Sequence, residues 1–250
     1  LTKVTISGNT ASSGGGIYNT DSNQPLDVVT VVGSTITTNQ ANTGGGIYNL
    51  GNMAVNDSLI TKNLGIESGG GIQSSGLISF VDAVVKDNNS NDTTPGSESP
   101  GAGLWISGIA EVRNSSVIGN AASGPGGGVY VSEGSLSLVN VTVSGNEASS
   151  GGGIFNSDQA LPIDPVSIAS STIANNQGDD SGNIVNKDGR KLALINSIII
   201  GSMGSLMDCA GAVDSIGHNI VGNIGSASSP ACRSEWLSTD KVGTFSEKIL

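Results

Sequence analysis

Short runs of alternating aliphatic and small polar residues, separated by glycine clusters, fill most of the chain. Residues 136–139 (LSLV) and 141–143 (VTV) place an aliphatic residue at every second position. This spacing is typical of a strand with one buried face. Glycine triads and β-branched runs both disfavour helices. The pattern therefore predicts an all-β protein built from many short strands.

The strands belong to an internal repeat with two recognisable halves. The first half reads STITTN at residues 34–39, and the second reads GGGIYN at residues 44–49. Each half has seven copies, and an aliphatic run such as residues 136–138 precedes the first half. Such a unit offers three short strands in about 25 residues plus insertions. The copies of the first half end at Asn9, Asn39, Asn63, Asn88, Asn120, Asn146 and Asn176.

One unit buries too little apolar surface to fold alone. Stacking the units at about 4.8 Å gives each strand a parallel neighbour and creates one continuous aliphatic core. We therefore predict a single right-handed parallel β-helix, a β-solenoid of about eight to nine coils with three short strands per coil. The repeats occupy residues 1–223, and residues 224–250 form an irregular or capping segment.

The recurring asparagines and glycines fit the turns of such a solenoid. An asparagine at one turn can stack on its copies, each amide donating to the next carbonyl oxygen, and it also tolerates left-handed backbone. The triads mark positions of positive φ or of close packing. We predict that the seven asparagines form a structural ladder. Phosphate binding is disfavoured, because neither a helix nor a lysine follows the triads.

One position of the glycine-rich half is rich in aromatic residues. Alternation predicts that its side chains point away from the core and form an outward stripe along the rod. The stripe is a candidate surface for stacking sugar rings or for packing on another protein. Coverage by neighbouring insertions is the alternative. Along the chain this position carries Tyr18, Tyr48, Gln73, Trp105, Tyr130, Phe155 and Val185.

Composition and charge exclude several classes. Charged residues make up 12% of the chain and 38 of its 250 residues are glycine, against about 25% charged residues in an ordinary domain. Hydrophobic residues reach 36%, which disfavours disorder. The net charge of −11 comes without a basic run, so nucleic acid would be repelled. No window approaches the roughly 20 apolar residues of a membrane helix, and no signal peptide opens the chain.

The two cysteines, Cys209 and Cys232, lie in the C-terminal quarter of the chain. In an oxidising compartment they can close a loop of about 24 residues, which stabilises a fold by about 3 kcal/mol. Two reduced, buried thiols are the alternative. Neither a CxxC motif nor a Cys/His cluster indicates a metal site, so no metal or cofactor is expected. Longer polar loops at residues 20–25, 92–100 and 158–165 are either binding loops or surface decoration.

These repeats also resemble a known class of proteins. Residues 141–146 (VTVSGN), followed by GGGIFN at 151–156, are similar to the right-handed β-helix repeats of polymorphic outer-membrane proteins and of large secreted adhesin-like proteins. Residues 208–211 and 215–222 look like the segment that ends the array in many such proteins. The resemblance covers residues 1–223 and implies an exported, extracellular or cell-surface protein of bacterial type. Residues 233–250 depart from the pattern.

The β-helix fold also carries polysaccharide lyases and glycoside hydrolases, so catalysis must be argued from a site. Such enzymes need clustered carboxylates, with Ca²⁺ and a base in the lyases. Asp57 and Asp82 align on adjacent units, and Arg113 lies one place before the equivalent Asn114. We interpret these residues as solvent-facing charges, with an enzyme as the alternative. The single histidine, His218, is interpreted as a packing or capping residue.

A structural rod and a binding module both fit this chain. Residues 1–6 begin directly on a strand without a polar cap, and uncapped strand edges invite another chain. We therefore predict either end-to-end stacking into a fibre or continuation in a longer surface protein, with a glycan as an alternative ligand. Ice binding is disfavoured, because Leu59, Val84 and Ser116 interrupt the column of aligned threonines.

Overall fold

The computed structural model describes residues 1–20, 27–94, 96–157, 166–187, 190–204, 207–226, 229–230 and 232–244. Within these residues the chain forms strands and no helix. The first five coils contain β1 (Thr5–Ser7), β2 (Thr10–Ser13), β3 (Ile17–Asn19), β4 (Val28–Val32), β5 (Thr35–Thr37), β6 (Gln40–Thr43), β7 (Ile47–Asn49), β8 (Asn52–Asn56), β9 (Leu59–Thr61), β10 (Leu64–Ser68), β11 (Ile72–Ser74), β12 (Leu77–Val81), β13 (Val84–Lys86), β14 (Asn89–Ser90), β15 (Leu104–Ile106), β16 (Ile109–Arg113), β17 (Ser116–Ile118), β18 (Ala121–Ala122), β19 (Val129–Val131) and β20 (Ser135–Val139).

The described residues of the later coils contain fewer strands per turn. Coils six to eight consist of β21 (Thr142–Ser144), β22 (Ile154–Asn156), β23 (Val166–Ala169), β24 (Thr172–Ala174), β25 (Ile184–Asn186), β26 (Leu192–Ile195), β27 (Ile198–Ile200), β28 (Cys209–Ala212) and β29 (Asp214–Gly217). The remainder contains β30 (Ile220–Val221), β31 (Gly225–Ser226), β32 (Ser229–Pro230), β33 (Cys232–Arg233) and β34 (Lys241–Val242).

Four parallel sheets run along the rod, numbered here by their order within a coil. Sheet 1 extends from β1 to β34, sheet 2 from β2 to β18, sheet 3 from β3 to β33 and sheet 4 from β4 to β29. The parallel β-helix predicted from the repeat is confirmed. Sheets 1, 3 and 4 are the three predicted strands of each coil, and sheet 2 is an additional short strand in the first five coils.

The stacking continues beyond residue 223. Strand β33 pairs in parallel with β28, and β34 pairs in parallel with β30, whereas β31 and β32 form an antiparallel pair of their own. The boundary between repeats and end segment at residue 223 stays a prediction. Parallel pairing reaches at least Val242.

The core is a continuous column of aliphatic side chains inside the coils. Leu136 and Leu138 are almost fully buried, whereas Ser137 between them is half-buried on the outer surface. The same alternation recurs in every five-residue strand of sheet 4. Because equivalent residues are in register, each aliphatic side chain packs on its copies in the neighbouring coils.

The glycine triads solve two separate steric problems. Gly44 has a φ of +63°, in the left-handed region that costs glycine nothing. A Cβ on the following Gly45 would overlap the carbonyl oxygen of Leu64 in the next coil. Positive φ and close packing were both predicted for the triads. The first glycine, Gly44, meets the first requirement, and the second, Gly45, meets the other.

The predicted asparagine ladder is confirmed. From Asn9 to Asn146, each Nδ2 donates to the Oδ1 of the next ladder asparagine at 2.9–3.1 Å. The same Oδ1 also accepts the backbone N–H of the preceding ladder residue at 2.9–3.1 Å. From Asn39 onward, Nδ2 donates its second hydrogen to a carbonyl of the preceding coil, as in Asn88 to Ile60 at 3.1 Å. Each of these amides therefore joins three coils.

The left-handed backbone at this turn belongs to the residue before each asparagine. Thr38, Lys62 and Asp87 precede ladder residues and have φ values of 54° to 55°. None of the ladder asparagines has positive φ. The tolerance of asparagine for left-handed backbone is therefore not what selects it here, and the hydrogen bonds of the buried amide are the reason for its recurrence.

The ladder ends in a carboxylate. In coil eight the ladder position is Ser202, and Asn183 takes over by accepting from Asn176 Nδ2 at 2.9 Å. Asn183 Nδ2 then donates to Oδ1 of Asp208 at 2.9 Å, and the Ser202 N–H donates to the same oxygen at 2.8 Å. Asp208 is 4% exposed. Burial raises the pKa of its carboxyl, although these hydrogen bonds oppose the shift.

Replacing a ladder asparagine should destabilise the rod strongly. Asn88→Ala removes the acceptor of the Asn63 N–H, one of the two acceptors of Asn63 Nδ2 and one of the two donors to Asn120 Oδ1, and it leaves the Ile60 carbonyl without the Asn88 amide. We expect a loss of about 3 kcal/mol in the free energy of unfolding, measured by chemical denaturation, since each unsatisfied buried polar group costs about 1–3 kcal/mol. The adjacent exposed Asn89 is the control, and Asn89→Ala should change stability by less than about 0.5 kcal/mol. Equal losses would contradict the ladder.

The buried carboxyl of Asp208 should make stability depend on pH. With a raised pKa, the folded protein keeps the proton at pH values where the unfolded chain, with a carboxyl pKa of about 3.9, has lost it. Stability should therefore fall as the pH rises above about 4 and level off above the folded pKa. Asp208→Asn should remove this fall, because an amide Oδ1 can still accept both hydrogen bonds.

Thermal melting between pH 3.5 and 7 measures the effect. Asp57→Asn is the control, because Asp57 is exposed and asparagine is compatible with its φ of 48°. The control should follow the pH dependence of the unmodified protein. If Asp208→Asn also retained that dependence in full, the assignment to Asp208 would be wrong.

Candidate functional site

The aromatic residues of sheet 3 form two stacks on the outer side of the rod. Tyr18 and Tyr48 stack with ring centroids 5.3 Å apart and planes inclined by 20°. Trp105 stacks on Tyr130 at 6.3 Å, and Tyr130 on Phe155 at 5.6 Å. Because parallel strands in exact register place equivalent residues above one another, the predicted stripe is two ladders of rings, called here the aromatic columns.

The aromatic columns are less exposed than alternation predicts. Tyr18 is 50% exposed, but Phe155 is 7% exposed, and Tyr48, Trp105 and Tyr130 are half-buried. A ring face that packs on a neighbouring ring is not free to stack a sugar. Tyr130 has both faces engaged, whereas Tyr18 ends its column. The outward stripe thus presents mainly ring edges, and its role in ligand binding stays a prediction.

Polar side chains lie at both ends of the second column. Gln73 separates Tyr48 from Trp105 in register, and its side chain is buried and accepts a hydrogen bond from Ser68 Oγ at 2.7 Å. At the other end, the Lys187 ammonium lies 5.3 Å from the centroid of Phe155, a geometry of attraction between a cation and a π system. Lys187 therefore covers one face of Phe155, and Gln73 separates the two columns.

A cleft of about 380 Å³ lies where the second aromatic column stops. Val185 and Ala210 follow Phe155 in register, and these smaller side chains leave room above sheet 3. Asp179, Asp180, Lys187 and Arg233 line the sides of the cleft. The cleft thus combines an apolar floor with charges of both signs. Ser150 Oγ donates to Asp180 at 2.9 Å, so this carboxylate also serves the turn beside it.

The candidate charged cluster has a local structural role. Asp57 and Asp82 are exposed residues with φ values of 48° and 54° at the turn from sheet 4 to sheet 1. Asn114, Asn140, Ser170, Asn196 and His218 occupy the same turn in other coils. Asp, Asn and His are the non-glycine residues that most often adopt this conformation. Arg113 instead projects from β16 and pairs with Glu111 at 3.6 Å.

The described residues contain no group of three Asp, Glu, His or Cys side chains that is arranged to hold a metal ion. Asp57 and Asp82 lie one coil apart, each on its own exposed turn, with a serine or alanine after it. The structure therefore places the two carboxylates at the same turn of adjacent coils, and neither lines the cleft of about 380 Å³.

Several structurally important polar residues were not predicted from the repeat. Asn183, Asp208 and Arg190 stand where the consensus weakens. The Arg190 side chain is 6% exposed and donates to Asn156 Oδ1 and to the Gly134 carbonyl, thereby connecting coils five, six and seven. The only sequence signal for these residues is that they replace a glycine or lie in a shortened unit, which gives no hint of their partners.

The cysteines and one insertion fix two further regions. Cys209 and Cys232 form the predicted disulfide, and both are fully buried in the core. In the insertion at residues 92–100, the buried Ser99 donates to the Ile66 carbonyl at 2.6 Å, and it accepts the N–H of Asp92 at 2.9 Å. The predicted loops at residues 21–25 and 158–165 lie outside the described residues.

The part of the chain that the structure describes contains no helix of the length and apolar character required to cross a bilayer.

Comparison with known protein families gives a match to the first unit of the repeat. Residues 3–20 match the Chlamydia polymorphic membrane protein (Chlamydia_PMP) repeat. No curated protein and no solved structure matches the chain. The matched segment is β1, β2 and β3 with the first glycine triad, and the same unit stacks in register through the coils that follow. The chain is therefore a parallel β-helix repeat protein whose first unit is similar to the Chlamydia polymorphic membrane protein repeat.

Proposed function

We propose that this protein is an adhesive rod of the bacterial surface, whose function is to present a long, rigid, repetitive surface outside the cell. The observation that carries the proposal is the polymorphic membrane protein repeat at residues 3–20, continued as a β-helix through the chain. The local structural role of Asp57, Asp82 and Arg113 favours adhesion over catalysis.

The exposed edge of the first coil supports an assembly role. Sheets 1, 2 and 3 end at β1, β2 and β3, whose outer edges face no strand among the described residues. Ala11 on β2 is exposed, whereas Ala41, its partner in the second coil, is 1% exposed. Asn9, the first rung of the ladder, is exposed in the same way. In an end-to-end stack, a coil of a second molecule would pair with this edge.

End-to-end stacking predicts filaments that a charge on this edge abolishes. We expect the unmodified protein to form filaments one β-helix wide in electron micrographs. Ala11→Lys should leave single short rods, because it would bury a charge between coils. Thr10→Lys is the matched control, since the Thr10 side chain lies on the outer surface and stays exposed in a stack. Short single rods of the unmodified protein at all concentrations would exclude stacking.

Glycan binding is a second candidate, favoured by the half-exposed ring of Tyr18 at the end of its column. On a glycan array, binding without cleavage is expected. Tyr18→Ala should weaken it about tenfold, in line with the energy of one aromatic stacking contact. Tyr130→Ala should weaken it less, because both faces of Tyr130 are occupied by neighbouring rings. Equal binding by the Tyr18 variant would exclude this surface.

The same samples distinguish adhesion from catalysis. Depolymerisation assays on pectin and other uronans should detect no cleavage by the unmodified protein. Cleavage that disappears in Asp57→Asn and Asp82→Asn would instead establish an enzyme that uses the turn carboxylates, and would overturn the adhesive assignment.

A further inference from the structure

The outer surface of sheet 4 differs from the rest of this acidic molecule. Its exposed aliphatic side chains include Val28, Leu77 and Ile109, which are 53%, 44% and 51% exposed. The chain has 21 acidic residues, but only Glu111 and Asp214 are exposed on the described strands of this sheet. Glu111 is paired with Arg113, and Asp214 lies on the last strand. We call this surface the sheet 4 face.

The centre of the sheet 4 face has complementary relief. Ile109 protrudes from β16, the last strand of the first half, and Val28 and Leu77 protrude from β4 and β12, whereas Ile195 and Ile216 are the exposed aliphatic residues of the second half. The second half begins with a groove of about 220 Å³ beside Ile109, where Ser135, Ser137 and Ser167 leave room above the sheet. Ser135 is the register partner of Ile109 one coil further along. A protruding side chain and a recess next to it on one surface are what self-complementary packing requires.

We propose that the sheet 4 face binds the same face of a second copy of this chain, with the two rods antiparallel and side by side. The two-fold axis runs parallel to the strands between β16 and β20, the fourth and fifth of the eight strands in this sheet. This symmetry places Ile109 of each copy over Ser135 of the other, and Leu77 over the strand that carries Ser167. Every contact occurs twice, as in an isologous interface.

Charge and area both fit this partner. Two molecules with a net charge of −11 repel each other in general, but few charges meet when these faces pack. Four or five residues per strand and eight strands give a face of about 15 Å by about 38 Å, or about 600 Å² per copy. The total of about 1,200 Å² exceeds the roughly 1,000 Å² that a specific interface needs. The area is that of a weak, reversible dimer.

Sedimentation equilibrium tests the proposal. The experiment uses Ala11→Lys as background, so that stacking through the first coil does not contribute to the measured mass. We expect a monomer–dimer equilibrium in the micromolar range. Ile109→Lys should weaken it at least about tenfold, because the ammonium would be buried without a partner. Ile118→Lys is the control, since Ile118 is 37% exposed on sheet 1 and should leave the equilibrium unchanged.

A mixing experiment tests the antiparallel arrangement itself. Ser135→Glu alone should also weaken the dimer, because it would bury a carboxylate against Ile109 of the other copy. When Ile109→Lys and Ser135→Glu chains are mixed, one interface site pairs Lys with Glu and the other keeps Ile against Ser, so a heterodimer should form. A monomeric background protein at all concentrations, an unaffected Ile109→Lys variant or a mixture that stays monomeric would each overturn the proposal.

Discussion

The parallel stacking of equivalent residues from one coil to the next is the constraint on which the rest of the structure depends. Because each coil lies in register on its neighbour, whatever side chain occupies one position meets copies of itself above and below. Aliphatic positions become a core, amides become a hydrogen-bonded ladder, and aromatic positions become stacks. A side chain that cannot stack on its own copies, such as a buried charged residue, is therefore absent from the interior of nearly every described coil.

The asparagine ladder shows how stacking in register satisfies the hydrogen bonds of buried amide groups. A buried amide needs donors and acceptors for all its groups, and copies of itself on both sides supply most of them. Where the repeat weakens, the arrangement needs substitutes. Asn183, which directly precedes β25 of sheet 3, accepts the hydrogen bond from the last ladder asparagine, and Asp208 provides the final acceptor. The pKa of Asp208 is raised because its carboxyl is buried at the end of an array that was otherwise neutral.

Stacking also limits the kind of function that the surface can have. Rings on successive coils stack on one another, so their faces are not free for a ligand. The carboxylates at the turns lie one coil apart and do not converge on one point. Such a rod offers extended surfaces, and this is why we propose adhesion and not catalysis at a concave site. The sheet 4 face is one such surface, because its low charge and its relief are properties of many coils together.

The sequence by itself determined the all-β fold, the parallel stacking and the ladder asparagines, because repetition makes a local pattern sufficient to predict its neighbours, whereas it left the two cysteines as either a disulfide or two thiols. It also indicated that Asp57 and Asp82 align. Only the tertiary structure decided that these two residues serve a left-handed turn, that the aromatic rings cover one another, and that Arg190, Asn183 and Asp208 connect coils. These features depend on contacts between residues that are not equivalent in the repeat, or on the exposure of a side chain after stacking. The periodicity of the chain predicts neither these contacts nor this exposure.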